Sequence, residues 1–321
     1  MPRAFAVVGG GAAAVDELVF VDSSIGDGKG RVLRTERRFG GNIATALAAV
    51  AREGVGCAFL GHLPDDSVAP DLLAHLRDEG VDLSLARTSP STRPIRSTIL
   101  VGNDGDRFIA FDDDTAVGLP EDLDLDLVRE ARVLLLDAYN PAEGIRAAAA
   151  ARAAGVAVVA DLETVAAPRL HELAALADHL VVPQGLALAM TGAGTPAEAV
   201  DLLWRADRAA VVVTGGAEGC WFRSSDQAAG DVRHQPAPRV SVVDTTGCGD
   251  VFHGVYAAAL AQGAPVDRCV SAATVAAAEC ATHPGGFPSR LDTDAGRPPA
   301  APPAQAVPRP GDTPPEEEGP Q

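Results

Sequence analysis

Lysine is almost missing from this chain: of its 26 basic residues, only Lys29 is a lysine. A Walker A loop needs a lysine after its glycines, and no such segment exists. A phosphate bound here would have to be held by backbone amides and arginines. The net charge of −18 excludes a general nucleic-acid or acidic-membrane surface, because such surfaces need clustered positive charge. A nucleic-acid or membrane partner is therefore not expected, although a small anion can still bind locally. Aromatics are 4% of residues while hydrophobics are 47%, so the core must be aliphatic. The five cysteines (57, 220, 248, 269 and 280) are odd in number and never spaced CxxC, which favours reduced, mostly buried thiols over a disulfide framework. The seven histidines show no zinc-ligand spacing. No apolar run approaches about 18 residues, and the N-terminal segment lacks the basic region and cleavage site of a signal peptide. These absences lead to the expectation of a soluble, cytoplasmic protein.

The segments that are present alternate. AFAVVG (4–9), VGCAFLG (55–61), VLLLDAY (133–139), VAVVADL (156–162), HLVVP (179–183) and AAVVVTGG (209–216) are short and apolar throughout, as strands buried on both faces of a parallel sheet are. Between them lie helical patterns, NIATALAAVAREG, DSVAPDLLAHLRDEG, PAEGIRAAAAARAAG and TPAEAVDLLWRAD, the first three closing on Gly54, Gly80 and Gly155. The expected fold is α/β, a doubly wound, mostly parallel sheet with helices on both faces. DELVFVD (16–22) and the run from 93 to 114 instead alternate apolar with polar residues, the second turning at Asn103-Asp104-Gly105. They predict half-exposed antiparallel strands in a small β-sheet lid outside the main sheet. From Ala295 the composition becomes rich in proline and acid, which predicts a disordered tail over 295–321.

At VVDTTGCGDVFHG an apolar strand pattern breaks at Gly247, Cys248 and Gly249 and resumes as a helix. Helix N-termini carry unsatisfied N–H groups and the positive dipole end, and glycines let a phosphate oxygen approach without a Cβ in the way. Asp250 in the first turn could take a proton from an attacking hydroxyl. An ordinary capping turn with tightly packed glycines would read the same way.

DTTGCGDVFHG (244–254) resembles the C-terminal signature of the ribokinase-like carbohydrate kinases, also called the phosphofructokinase-B family. FGGNIATALAAVAREGVGCAFLG (39–61) with PDDSVAPDLLAHLRDEGVD resembles its N-terminal signature, and VVVTGGAEGCWF (211–222) its strand and turn beside the nucleotide. The resemblance runs from about residue 4 to 290 and implies one kinase domain over 1–294, with lid strands at about 16–38 and 93–114. It implies ATP as donor, Mg²⁺ and a monovalent cation such as K⁺, and a sugar-like alcohol as acceptor. By the same resemblance Asp250 is the catalytic base, and the amides of Gly247, Cys248 and Gly249 form the anion hole. Asp16, Gly41 and Asn42 would touch sugar hydroxyls. Thr214, Gly216 and Gly219 would lie near the nucleotide, with Ala277, Gly285 and Gly286 closing over adenine. A monovalent cation would sit near Asp244 and Thr246, and lids of the family often pair into homodimers.

The chain also departs from the family. Where members carry Asn-x-x-Glu after the strand HLVVP, this chain has Gln184 and Ala187, which leaves Asp161 and Glu163 as candidates to organise Mg²⁺. Thr45 replaces a common asparagine. LDAYNPAEGIRAAAAARAAGVAVVADLE and ADHLVVPQGLALAMTG are nearest in pattern to the ketohexokinase and sulfofructose kinase branch. Arginines 34, 37, 38, 93, 96 and 107 fall in or beside the lid, and Arg96 and Arg107 are the candidates to grip an anionic acceptor. Asp112, Asp113 and Asp114 read as a solvated turn, and His253 as a packed side chain. Competing readings are a nucleoside kinase of the same superfamily and a catalytically silent sugar- or nucleotide-binding relative. Gly9, Gly11 and Ala14 loosely fit a dinucleotide fingerprint, but the chain continues there as a strand rather than a helix.

Overall fold

A computed structural model describes residues 5–65, 69–89, 92–103, 107–112, 117–226 and 231–283. The aliphatic runs form an eight-stranded sheet in the order Arg233–Gln235, Cys220–Ser224, Ala210–Thr214, His179–Pro183, Ala157–Asp161, Val133–Leu136, Val7–Gly10, Cys57–Leu60. The last six pair in parallel, Cys220–Ser224 runs against them, and Arg233–Gln235 pairs antiparallel with Cys220–Ser224. Side chains alternate across the sheet. Val7, Leu135, Val159, Val181 and Val212 face one buried layer, while Val8, Leu134, Val158, Leu180 and Val211 face the other. Each fully buried aliphatic side chain of this size contributes about 1.5–3 kcal/mol. Both layers are therefore needed to offset the entropy of ordering the chain.

One layer consists of the helices Asn42–Arg52, Ala69–Asp78, Cys248–Ala261 and Val266–Cys280. The other consists of Leu125–Arg129, Pro141–Ala153, Leu170–Leu176, Gln184–Thr191 and Pro196–Leu203. Gly54, Gly80 and Gly155 follow three of these helices in the left-handed region, at φ +72°, +91° and +73°. The βα alternation read from the sequence is the observed architecture. Among the described residues no helix is long and apolar enough to cross a membrane.

The second sheet carries the lid strands in the order Val32–Gly40, Ala14–Val21, Ile95–Val101, Arg107–Asp112. The 95–101 and 107–112 strands form the expected antiparallel pair, although residues 104–106 of their turn lie outside the described residues. One expectation is corrected: Ala14–Val21 and Ile95–Val101 pair in parallel, with Asp16 opposite Ser97. They are the two central strands, and each has its antiparallel partner on the outside. The tail from 295 lies outside the described residues.

Helix Cys248–Ala261 is buried from Val251 to Ala258, packed against the sheet and against helices Asn42–Arg52 and Val266–Cys280. Gly254 makes that approach possible, because a Cβ there would overlap the Ala46 carbonyl and meet Ala49 Cβ at 2.8 Å. Gly254→Ala should force the two helices apart and destabilise the protein by about 1–3 kcal/mol, the usual cost of overpacking. Urea unfolding would measure this, and an unchanged midpoint would refute the close-contact role.

Candidate active site

The parallel strands deliver their C-terminal ends to one edge, where ligands of open α/β sheets bind. Gly10 leads into Gly11 and the lid there. Asp137 follows the strand Val133–Leu136, Asp161 ends the strand Ala157–Asp161, and Gln184 follows His179–Pro183. Over this edge the lid encloses a cavity of about 640 Å³ lined by Asp16, Gly41, Asn42, Thr45, Glu163, Asp244, Thr246, Gly247 and Asp250. Its roof is the inner face of the lid, where Leu18, Phe20, Ile95, Ile99, Ile109 and Phe111 are apolar.

The TTGCGD segment begins the buried helix at this cavity. Gly247 is its N-cap in the left-handed region, φ +76°, and Val251 N–H donates to Gly247 O at 2.9 Å. A Cβ on Gly249 would meet nothing within 4 Å, so packing does not require glycine there and the space before its backbone is open. Cys248 N–H makes a 3.3 Å bond to Thr245 O. Asp244 shapes the turn: its Oδ1 accepts from Thr246 N–H at 2.9 Å and Thr246 Oγ1 at 2.8 Å, while Arg38 Nη1 lies 3.5 Å from its Oδ2.

Asp250 is one of four acids facing each other across the strand ends. Burial holds its carboxyl well above the ordinary range, reinforced by the charges of Asp161, Glu163, Asp137 and Cys248. Asp161 and Glu163 are raised first by burial, Glu163 also by Asp161, and Asn42 hydrogen-bonds both. Asp161 Oδ2 has no hydrogen-bond partner, although His253 Nδ1 lies 3.5 Å away. His253 is packed as expected, its ring bridging Gly249 O at 2.8 Å and Val181 O at 3.1 Å.

Asp137 was missed by the sequence reading. Its Oδ2 accepts from Ala12 N–H at 2.7 Å and its Oδ1 from Tyr139 N–H at 3.0 Å. Burial nevertheless pushes it up to about 8. It also explains Gly11, whose Cβ would overlap the Asp137 carboxylate, while one on Gly9 would meet Ile43 and Leu47 at 2.7 and 2.8 Å. These glycines serve close packing, and the dinucleotide fingerprint is set aside. The signal for Asp137 was present in VLLLDAY, which ends a buried strand in an acid as VAVVADL does.

The remaining predicted residues fall in different places. Asp16 reaches the cavity, hydrogen-bonds Ser97 and is raised by burial. Gly41 is at φ +97°, and a Cβ there would meet Ala12 O, Ala13 Cα and Ala14 N at 2.8 Å. Arg96 is corrected: the cavity-lining positions of its strand are 95, 97, 99 and 101, so the two-residue period turns Arg96 to the other, exposed face. Arg107 is placed only by its backbone, paired with Val101. The arginines that do line the cavity are Arg34, stacked 3.5 Å over Phe20, and Arg38, and both hydrogen-bond to Glu36.

Thr214, Gly216 and Gly219 form a strand end and turn outside this cavity; Gly219, at φ +92°, has no room for a Cβ beside Gln235 O. Ala277 packs half-buried against the core. Gly285 and Gly286 lie outside the described residues, as do Asp113 and Asp114. Gln184 lies beside Gly215, and Ala187 is fully buried. Among the described residues no three His, Cys, Asp or Glu side chains converge to hold a metal ion directly.

The fold and the lidded cavity together define a ribokinase-like α/β protein. Residues 8–293 match the profile described as pfkB family carbohydrate kinase, and the chain belongs to that family. It is similar to the ribokinase of Arabidopsis thaliana, at 28% identity over 266 residues, covering 79% of this chain and 69% of that one. Fructokinase-1 of Oryza sativa subsp. japonica is 28% identical over 277 residues, covering 78% and 84%. Among solved structures, Arabidopsis thaliana ribokinase complexed with ribose and ATP aligns with a TM-score of 0.76 at 25% identity, covering 89% of this chain and 95% of that one. The activity class is therefore that of a carbohydrate kinase, which transfers phosphate to an alcohol. The finer likeness to the ketohexokinase and sulfofructose kinase branch finds no specific support among these relatives.

The raised acids set a pH dependence. Their folded pKa values exceed the unfolded ones, so the native state binds protons more tightly, and the stability they give is lost as pH rises through the folded values. Desolvation shifts half-buried His62 and buried His179 down from 6.5, and they act in the opposite sense below that pH. Unliganded protein should therefore lose stability between pH about 6.5 and 8.5, by at most about 1.4 kcal/mol per pH unit for each group. Asp137→Asn should flatten the slope. Thermal unfolding across that window checks this, and a rising or flat wild-type curve would contradict it.

Proposed function

We propose that this kinase transfers the γ-phosphoryl group of ATP to a hydroxymethyl group of a ketose or furanose-like sugar, with Asp250 as general base and the 247–250 loop as anion hole. The observation that carries this reading is the position of Asp250. It lines the cavity at the first turn of a helix, beside Gly247 and the open backbone of Gly249. A carboxyl held above its ordinary range is a stronger base once ionised, which suits proton removal from an alcohol. Amides at a helix N-terminus are already oriented toward charge developing on the phosphoryl oxygens. An incoming phosphate oxygen would draw Cys248 N–H from its long bond to Thr245 O.

Asp16, Gly41 and Asn42 would orient the acceptor hydroxyls, and the aliphatic lid face would exclude water, the competing acceptor. ATP would lie on the far side of the loop, toward Thr214, Gly216 and Gly219, with Ala277, Gly285 and Gly286 over adenine. Magnesium, which the family implies, would neutralise phosphate charge there. The buried acids and the orphaned Asp161 Oδ2 fit such a cation, with Asp161 and Glu163 holding it through water, because Mg²⁺ keeps several of its waters. The same reading puts K⁺ beside Asp244 and Thr246.

Asp250→Asn should lower kcat by roughly 10² to 10⁴, the range for losing a general base, with ATP affinity kept. Full turnover in that variant would remove Asp250 from this role. One observation favours a second reading, a nucleoside kinase: the lid side chains Leu18, Phe20, Ile95, Ile99, Val101, Ile109 and Phe111 face the cavity, and a purely hydroxylated sugar would leave hydroxyls unpaired against them. ATP consumption measured over ketoses, aldoses, nucleosides and sugar phosphates decides between the two. Binding without turnover on every member would instead mark a silent relative.

A homodimer through the lid belongs to the same proposal, supported by Val32, Leu33 and Phe108, which are 54%, 63% and 56% exposed on lid strands. Sedimentation velocity should show a dimer that Phe108→Asp dissociates. A monomeric wild type would refute it.

A further inference from the structure

Cys248 opens the helix of the anion loop, and Cys280 closes the helix Val266–Cys280 packed against it. Three links tie these ends together. Val243 and Asp244 N–H donate to Ala281 O at 2.8 and 3.2 Å. Cys280 Sγ lies 3.9 Å from Thr246 O. The two thiols lie near enough to interact with each other. Cys280 is buried and Cys248 half-buried. The other thiols, Cys57, Cys220 and Cys269, are buried against Leu47 O, Thr274 and Ala264 O.

We propose that Cys248 and Cys280 form a hydroperoxide-sensitive dithiol whose oxidation to a disulfide disables the anion loop. Cys248 is suited to react first. It is the more exposed of the two and it opens a helix, whose positive end favours the thiolate. Its thiolate attacks one peroxide oxygen, the O–O bond breaks, and the departing hydroxide takes up a proton as water. Cys280 loses its proton and attacks the resulting sulfenic sulfur. The S–O bond breaks, and that proton leaves with the hydroxide as a second water. Two thiols and one peroxide thus give one disulfide and two waters, the sulfurs oxidised and the peroxide reduced.

A disulfide brings the sulfurs to about 2.05 Å with fixed geometry, so Cys248 must be drawn toward the end of the last helix. The amides on either side of it, Gly247 and Gly249, move with it. The effect on turnover rests on the anion-hole reading above, whereas formation of the bond does not.

Reduced full-length protein treated with a modest excess of hydrogen peroxide, alkylated and analysed by mass spectrometry should lose the mass of two hydrogen atoms and yield a peptide joining Cys248 to Cys280. Turnover should fall by at least about tenfold, comparable to losing an anion-hole donor, and return with dithiothreitol. In Cys280→Ser the joined peptide should be absent, and Cys248 should instead be recovered as a sulfenic acid that dimedone traps. Five alkylatable thiols after peroxide, or a joined peptide with undiminished turnover, would overturn the proposal. If the bond forms but the reduced protein turns over no sugar, the kinase assignment fails while the modification site stands.

Discussion

Four acids gathered at the C-terminal ends of the strands, Asp137, Asp161, Glu163 and Asp250, are the constraint on which this structure turns. Each is removed from water, and the pairs among them raise one another's affinity for protons. A fold selected for stability alone would place aliphatic side chains there, as it does along the rest of every parallel strand. The protein offsets the charge partially, through the positive end of helix Cys248–Ala261, two backbone amides on Asp137, Asn42 on both Asp161 and Glu163, and His253 beside Asp161. What remains is an electrostatic deficit that the proposed cation would relieve. In the proposed reaction, relief of that deficit and ionisation of Asp250 are the same event, so the base becomes competent when the nucleotide complex arrives.

Geometry for that event comes from glycines far from any chemistry. Gly254 lets helix Cys248–Ala261 lie against Ala46 in helix Asn42–Arg52, and Gly41 lets the start of the latter helix press on the backbone from Ala12 to Ala14. Through these two contacts Asn42, Asp16 and Asp250 keep fixed positions around one cavity. The packing of a helix pair therefore sets the reach between the residues proposed to orient the acceptor and the residue proposed to deprotonate it.

Much of this was legible in the sequence because it is local. Apolar runs gave the buried strands, glycines marked helix ends, and the switch to alternating polarity marked the lid. The loop at 247–250 could be read because one strand-to-helix junction contains all its parts. What was not legible depends on register and on contacts between distant segments. Arg96 and Ser97 are neighbours in sequence, and only the pairing of Ser97 with Asp16 decides which of them faces the cavity. Parallel pairing of two lid strands also brings together segments that no hairpin joins. Cys248 and Cys280 meet because two helices pack, and nothing in their spacing announces it.

The lid shows how the two kinds of information combine. Its sequence alternates, so one face must be apolar, and the structure turns that face inward over the acids rather than onto a core. An apolar roof over a charged floor lowers the local dielectric, which strengthens each interaction on the floor, including the repulsion among the carboxylates. Under the proposed reaction, a closed lid both shuts out the competing water and makes the loop amides act more strongly on the phosphoryl group.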